Sequence, residues 1–405
     1  MNNDQLYDVS IIGGGLAGLS LSIQLAKADY NVILFEKEKY PFHKVCGEYI
    51  SLESWDFISN LGLNLEELKL PIIKKLIVSS PNGKFIEQKL PLGGFGISRY
   101  KLDGELSKIA KQAGVNIHEE TKVNEIVFKD ELFIISTSAF NIQSKIAAGT
   151  FGKRSNIDIK WSRDFIQKKN NKLNNYIGIK YHVKTDWPAD TIALHNFKDG
   201  YCGISKIEDN NYCLCYLTTA KNLKANNNSI AEMEKNVLLK NPFLKPIFSS
   251  ARFLPGFPVT ISQISFDKKS QVENHVLMIG DASGMITPLC GNGMSMALHG
   301  SKIAFQCIDR FLQKKISRKE MEDKYAEEWK SQFGGRLRMG RIIQRLFGKE
   351  FTTNLFISAL KPFPLVIRRL IRSTHGKPFS NFALWISLSF YLMGFVIYAM
   401  ALFNL

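Results

Sequence analysis

Much of what holds small secreted proteins together is missing from this sequence. Its 405 residues include six cysteines, at Cys46, Cys202, Cys213, Cys215, Cys290 and Cys307, and no two stand as C-x-x-C. No His-rich partner spacing accompanies them, so no metal site is expected. No signal-peptide pattern precedes the first apolar run, so reduced thiols and a cytosolic body are expected. Internal repeats are absent, and Asn226 to Asn228 is the one low-complexity tract. Acid is scarce: 37 Asp and Glu face 53 Lys and Arg, a net charge of +16. The imbalance is local. From Asp309 to Lys377, 17 basic residues face 7 acids, and between Gln332 and Lys377 ten face Glu350 alone. Such a block points to an anionic surface. Interleaved Leu, Ile and Phe fit a lipid headgroup layer better than nucleic acid.

Charge disappears altogether at the end. Phe379 to Leu405 is 27 residues without Asp, Glu, Lys, Arg or His. As a helix it would reach about 40 Å, against about 30 Å of hydrocarbon core. Trp385, Tyr391 and Tyr398 are amphipathic aromatics, and Arg368, Arg369, Arg372 and Lys377 precede the run. A hydrophobic membrane-associated helix is expected, C-terminally anchoring the body on the cytoplasmic side. Spanning and shallow insertion are both open.

What is present begins at residue 7. Tyr7 to Ile12 reads as a buried strand, Leu16 to Ala28 as a small-residue helix, and Asn31 to Phe35 as a second strand ending at Glu36. Between them Gly13, Gly15 and Gly18 stand in G-x-G-x-x-G spacing. The first glycine permits the tight turn, the second a close approach to pyrophosphate, the third close helix–strand packing. Leu16 and Ala17 open a helix whose free N–H groups and dipole suit phosphate. Glu36 stands where a ribose-binding carboxylate belongs, with Lys37 beside it. Dinucleotide binding is the reading.

Further on, Pro71 to Ser79 and Lys84 to Leu90 flank Pro81-Asn82-Gly83 as a hairpin. Lys101 to Gln112 has helical apolar spacing. Asn156 to Asn175 reads as polar and irregular. Four strand-like runs follow between Tyr176 and Thr219, spaced for an antiparallel sheet. Val276 to Ala282 reads V-L-M-I-G-D-A, a strand running into Asp281. Pro288, Gly291, Asn292 and Gly293 then lead into a long helix opened by Met294, a glycine-rich approach that presents N–H groups to an electron-rich ring edge.

The fold expected is α/β, a Rossmann-type glutathione-reductase-like FAD-binding domain with an inserted antiparallel β-sheet substrate domain and a C-terminal helical tail. The boundaries are 1–70 plus 96–155 plus 265–313 for the FAD-binding domain and 71–95 plus 156–264 for the β-rich substrate domain. A basic helical region covers 314–378 and the hydrophobic helix 379–405.

Two nucleotide-site pieces about 260 residues apart in the right order are far more specific than one. Together with I-S-R-Y-K-L-D-G-E-L after residue 96, they resemble the p-hydroxybenzoate-hydroxylase-like flavoprotein superfamily. K-V-C-G-E-Y-I at Lys44 to Ile50, with Gly200-Tyr201, resembles its geranylgeranyl reductase branch. The resemblance covers about residues 5 to 378. It implies FAD held by Gly13, Gly15, Gly18, Glu36, Arg99 and Asp281. It also implies the Lys44 to Gly47 loop, with Val45 and Cys46, near the flavin, and an apolar substrate cavity under the β-sheet. Arg99 stands in R-x-x-x-D spacing with Asp103. Cys46 is a candidate proton donor, and Tyr201 a candidate cavity residue. Glu48 reads by default as a solvated loop acid. The superfamily's Asp-Gly pair is replaced by Ala147-Ala148-Gly149-Thr150, which puts NADPH or NADH as direct electron donor in question. The W-x-W-x-I-P signature of flavin halogenases is absent.

The resemblance implies an FAD-dependent oxidoreductase reducing double bonds of a hydrophobic isoprenoid- or polyene-like substrate, and the charge-free run and basic block place it at the membrane as an expectation. Two other readings stay open: a monooxygenase hydroxylating an aromatic or quinone, and a non-catalytic membrane-anchored flavoprotein. The sequence does not set the oligomeric state.

Overall fold

The computed structural model describes residues 6–167, 175–287, 291–347, 349–374, 376 and 378. The elements run β1 (Leu6–Ile12), α1 (Leu16–Ala26), β2 (Val32–Phe35), β3 (Tyr49–Ser51), α2 (Trp55–Asn60), β4 (Ile72–Ser79), β5 (Phe85–Gly96), α3 (Arg99–Gln112) and β6 (Asn116–His118). Then come β7 (Val123–Lys129), β8 (Leu132–Thr137), β9 (Asn141–Gly149), α4 (Asn156–Lys160), α5 (Asp164–Gln167), β10 (Tyr176–Lys184), β11 (Thr191–Phe197), β12 (Gly200–Lys206) and β13 (Tyr212–Thr219). The chain continues with α6 (Ala220–Lys224), α7 (Ile230–Asn236), α8 (Leu244–Ser250), β14 (Arg252–Phe253), β15 (Val259–Ile264), β16 (Val272–Glu273) and β17 (Val276–Met278). It closes with α9 (Gly293–Leu312), α10 (Arg318–Leu346), α11 (Glu350–Leu360) and α12 (Pro364–Thr374).

The first sheet has the order β16-β17-β9-β1-β2-β6, with β7 and β8 branching from β9. Its centre is parallel: Val9 faces Val32 on one side of β1 and Ile146 on the other, and Leu277 faces Ala148. Buried Val, Ile and Leu on both faces are what a covered parallel sheet requires. The parallel strands end together. Gly13 leaves β1, Glu36 leaves β2, Thr150 leaves β9, and Asp281 follows β17 in a short 3-10 turn. The crevice at such carboxyl ends is where doubly wound sheets bind ligands. Helix α1 is fixed on one face by α9, where Ser20 Oγ donates to Ser301 Oγ at 2.7 Å.

The second sheet is mostly antiparallel, in the order β14-β10-β13-β12-β11-β4-β5-β3, with β15 on β10. Strand β3 lies within the segment expected to belong to the nucleotide-binding unit, yet it pairs with β5, Tyr49 facing Gly96. The 44–48 loop before it therefore runs from one sheet to the other. Residues 156–167, expected to be irregular, form α4 and α5. A capping box between Ser155 and Asp158 starts the first helix, and the buried Arg163–Asp158 pair at 2.7 Å anchors it.

The basic segment is helical. Ser317 and Glu320 cap α10, and Tyr325 Oη donates to Met278 O at 2.5 Å. Helices α11 and α12 pack on β5. Among the described residues no helix is long and apolar enough to cross a membrane. The 379–405 run, with Trp385, Tyr391 and Tyr398, lies outside the described residues, as does Lys377.

Candidate functional site

The glycine turn is built by contact. Gly13 has φ +112°, and a Cβ there would meet Thr150 O at 2.6 Å. A Cβ on Gly18 would meet Gly13 O at 2.1 Å, so α1 sits directly on the turn. Gly15 differs. Its Cβ would meet no backbone, with Arg99 Nη2 and Lys44 Nζ each at an ordinary contact distance of 3.7 Å. Gly15 is also the N-cap of α1 and offers no side-chain cap, so the first-turn N–H groups are left for a ligand.

Acids and bases frame that cradle. Gly14 N donates to Glu36 Oε2 at 3.0 Å and Glu38 N to Glu36 Oε1 at 3.1 Å, which fixes the carboxylate at the end of β2. Ser98 caps α3, setting Arg99 in its first turn. Arg99 binds Asp103 through Nε at 2.8 Å and Nη2 at 2.7 Å, and Lys44 Nζ lies 3.2 Å from the same acid. Burial pushes the Asp103 carboxyl up, but Arg99 and Lys44 outweigh it and hold it below the usual range. Lys44 Nζ also lies 3.8 Å from Glu36 Oε2, so two cations and two carboxylates surround the glycine turn, with Arg99 and Lys44 on the side that Gly15 faces. Opposite, burial raises the Asp281 carboxyl against the pull of Lys269, Arg99 and Lys153. Burial draws Lys269 down to about 8.

One cavity of ≈ 1050 Å³ joins these parts. Its wall contains Gly13, Gly15, Leu16, Ala17, Glu36, Lys37, Lys44, Val45, Cys46, Arg99, Tyr201, Asp281, Gly291, Asn292, Gly293 and Met294. Gly18 is beneath the wall, in the packing position its spacing implies. Pro288 lies outside the described residues, as does Cys290. The far end is apolar, with Leu76, Leu90, Ile192, Leu194 and Leu217 from the second sheet. The volume lies at the top of the range of about 300–1,000 Å³ for small-molecule sites.

The middle of the cavity corrects the sequence reading. Glu48 is no solvated acid: it is fully buried, with φ 54°. Its Oε1 accepts from Lys180 Nζ at 2.7 Å and from Arg99 N at 2.9 Å, and its Oε2 lies 2.6 Å from His182 Nε2. Burial raises the Glu48 carboxyl, but His182 and Lys180 overcome that and bring it down to about 2. Burial lowers Lys180, and Glu48 more than reverses it. His43 lies edge-on to the His182 ring at 5.1 Å and stacks on Tyr100 at 4.7 Å. Burial, with Lys180 and His182 near, lowers it to about 4.

Lys180 and His182 escaped the sequence reading. The signal was there: I-K-Y-H-V in an otherwise apolar strand puts both residues on one buried face. Glu48, His182 and Cys213 also bring one ligand atom each within 4.8 Å of one another. The Lys180 ammonium already occupies that carboxylate, however, and Cys213 Sγ donates to Cys46 O at 3.2 Å. A cation beside the set works against a second cation, so the cluster is a charge network.

Cys46 lines the cavity, and burial raises its thiol. It is a protonated thiol at neutral pH, able to donate a proton and poor as a nucleophile.

Comparisons with known proteins agree with this geometry. Residues 11–45 match a family of NAD(P)-binding Rossmann-like domains. The chain is 24% identical over 404 residues to Conditioned medium factor receptor 1 of Dictyostelium discoideum, covering 90% of this chain and 73% of that protein. It is 23% identical over 385 residues to a digeranylgeranylglycerophospholipid reductase of Methanosarcina acetivorans, covering 84% and 85%. Among solved structures, a geranylgeranyl bacteriochlorophyll reductase-like protein from Thermoplasma acidophilum superposes with TM-score 0.73 at 15% identity, over 97% of this chain and 96% of that one. The chain shares the fold of the p-hydroxybenzoate-hydroxylase-like FAD oxidoreductases. The named reductase relatives make the chain similar to the geranylgeranyl-reductase-like branch of that fold. A flavin-dependent brominase shares this FAD-oxidoreductase fold, with TM-score 0.77 at 19% identity over 98% and 100% of the two chains.

The residues fit the cofactor of that fold. In this FAD oxidoreductase the α1 N-terminus, Arg99 and Lys44 would hold the pyrophosphate, Glu36 the adenosine ribose, and Asp281 with Gly291 to Met294 the flavin end. FAD supplies two-electron transfer when bound.

Proposed function

We propose that the chain is an FAD-dependent reductase adding two electrons and two protons across a carbon–carbon double bond of a long isoprenoid- or polyene-like substrate at the membrane. One observation carries the reading: a single cavity continues from the nucleotide cradle to an apolar wall on the second sheet. A hydrocarbon chain in that apolar end excludes water and is oriented by packing alone. The Cys46 thiol stands on the cavity wall as a proton donor. The reductase relatives act, by name, on a geranylgeranylated glycerophospholipid, which agrees with the apolar end. The 379–405 run and the basic helices suit a substrate dissolved in lipid.

The donor electrons come from NADPH, NADH or a protein carrier. The stretch Ala147-Ala148-Gly149-Thr150 lacks the acid that the superfamily links to a nicotinamide donor, so a protein carrier is the competing source. The receptor-named relative supports a second reading, a membrane-anchored flavoprotein without turnover. Anaerobic mixing of the detergent-solubilised protein with dithionite, then with geranylgeranylated lipid, separates the two. Bleaching followed by reoxidation on lipid addition, with saturated product by mass spectrometry, supports the reductase. Bleaching without lipid-driven reoxidation rejects it. Oxygen uptake stoichiometric with a hydroxylated product would favour the monooxygenase.

A further inference from the structure

Exposed apolar side chains are not scattered evenly over this molecule. Leu365 is 79% exposed, Phe351 69% and Phe363 57%, the three most exposed large apolar residues among those described. All three lie on α11, on α12 or in the turn between them. Phe85 on β5 belongs to the same area, since Lys361 Nζ lies 5.8 Å from its ring centre.

Helix α12 has two faces. Ile367 and Ile371 are buried against β5, with Val366 and Leu370 partly so. Leu365, Arg368, Arg369 and Arg372 follow i, i+3, i+4, i+7 spacing and form the opposite face. Its arginines carry no ion pair among the described residues. An outward leucine beside arginines, next to an exposed Phe363, is the pattern of a helix lying in a lipid interface. Five residues after α12 ends, the 27-residue charge-free run begins.

The inner face matters as much. Ile367, Ile371, Phe356 and Leu360 share one apolar cluster with Leu90, Leu76 and Ile192. Those last three line the apolar end of the cavity. One layer of side chains separates the outward face of α12 from the place where a hydrocarbon chain would lie.

We infer that α11 and α12 form a docking face for an anionic bilayer interface, seating the apolar end of the cavity against the lipid that carries the substrate. The lipid-borne substrate rests on the reading proposed above; the docking face does not. Phe351, Phe363 and Leu365 enter the headgroup–acyl boundary, and Arg368, Arg369 and Arg372 meet lipid phosphates. Each arginine removed from an anionic surface lowers partitioning about fivefold.

Hydrogen exchange of the full-length holoprotein tests this, with vesicles of phosphatidylcholine containing phosphatidylglycerol, vesicles of phosphatidylcholine alone, and no vesicles. Peptides over 349–374 should slow at least threefold with the anionic vesicles only, while the β7–β8 hairpin is unchanged. The Phe363→Glu/Leu365→Glu variant, with normal flavin content, should lose that protection and bind at least tenfold more weakly. If the chain sediments with anionic vesicles and 349–374 stays unprotected, the tail alone holds it and the inference is overturned. Equal protection by neutral vesicles overturns the anionic assignment. Protection that grows with protein concentration in the absence of lipid points to a second copy and likewise overturns it. This experiment reads no turnover: failure of alkene reduction in the separate anaerobic assay sinks the proposed reaction, and protection here still leaves the docking face standing.

Discussion

Glu48 Oε1 and Lys180 Nζ lie 2.7 Å apart, and neither side chain reaches solvent. They come from segments far apart in sequence: Glu48 from the loop that leaves the nucleotide cradle, Lys180 from the middle of β10. The pair, with His182, ties the loop carrying Cys46 to the floor of the second sheet. A buried charge is tolerable only while its partner stays, so this link is stiff.

Removing one member should therefore cost more than removing both. Lys180→Met takes from a buried carboxylate its ammonium partner, leaving Arg99 N and His182, and should destabilise by about 3–5 kcal/mol. Adding Glu48→Gln to it should recover a large part. Chemical denaturation of the single and double variants measures both. Equal loss in the two would mean that the pair does not act as a unit.

Acid should break the same link. The Glu48 carboxyl is held down from 4.5 to about 2 in the folded chain. A depressed acid stabilises above its unfolded value, and that contribution fades as pH falls from 4.5 toward 2. Stability in that window should drop by about 3 kcal/mol more in the parent than in Glu48→Gln. Melting curves across the window decide it, and parallel curves would remove Glu48 from the account.

Two glycines three residues apart should fail in different ways. Gly15→Ala puts a methyl group into the cradle, so the chain should fold and lose most of its bound flavin. Gly18→Ala drives a Cβ to 2.1 Å from Gly13 O, so the fold itself should suffer. Absorbance of purified protein reports flavin, and circular dichroism reports fold. A normally flavinated Gly15→Ala would refute the cradle.

Cys46 should behave as a thiol. Burial raises it, so alkylation by iodoacetamide near neutral pH should be slow relative to a free cysteine and accelerate only in alkaline solution. Mass mapping of the modified residue tests this. Rapid neutral labelling of Cys46 would show a thiolate and end its role as proton donor.

The apolar end should set substrate length. Leu194→Trp fills that part of the cavity, so long-chain substrates should lose most of their kcat/KM while flavin content is kept. Competition between short and long isoprenoid substrates measures the ratio. An unchanged ratio would place the hydrocarbon elsewhere.

The local pattern determined the nucleotide end. Period-two strands, a 3.6-residue helix and glycines at fixed spacing are short-range features, and each is complete within forty residues of sequence. That is why Gly13, Gly15, Glu36 and the strand before Asp281 were legible in the order of the chain. Arg99 was legible because its partner Asp103 lies one helical turn away. The Glu48–Lys180–His182 network was not, because its members are 132 and 134 residues apart and nothing local distinguishes Glu48 from a surface acid. Only the pairing of β3 with β5 turns that loop inward, and only the register of β10 puts lysine and histidine beneath it. Sequence spacing can specify a cradle for one ligand, whereas the buried charges and the continuous cavity exist only once two sheets close on each other.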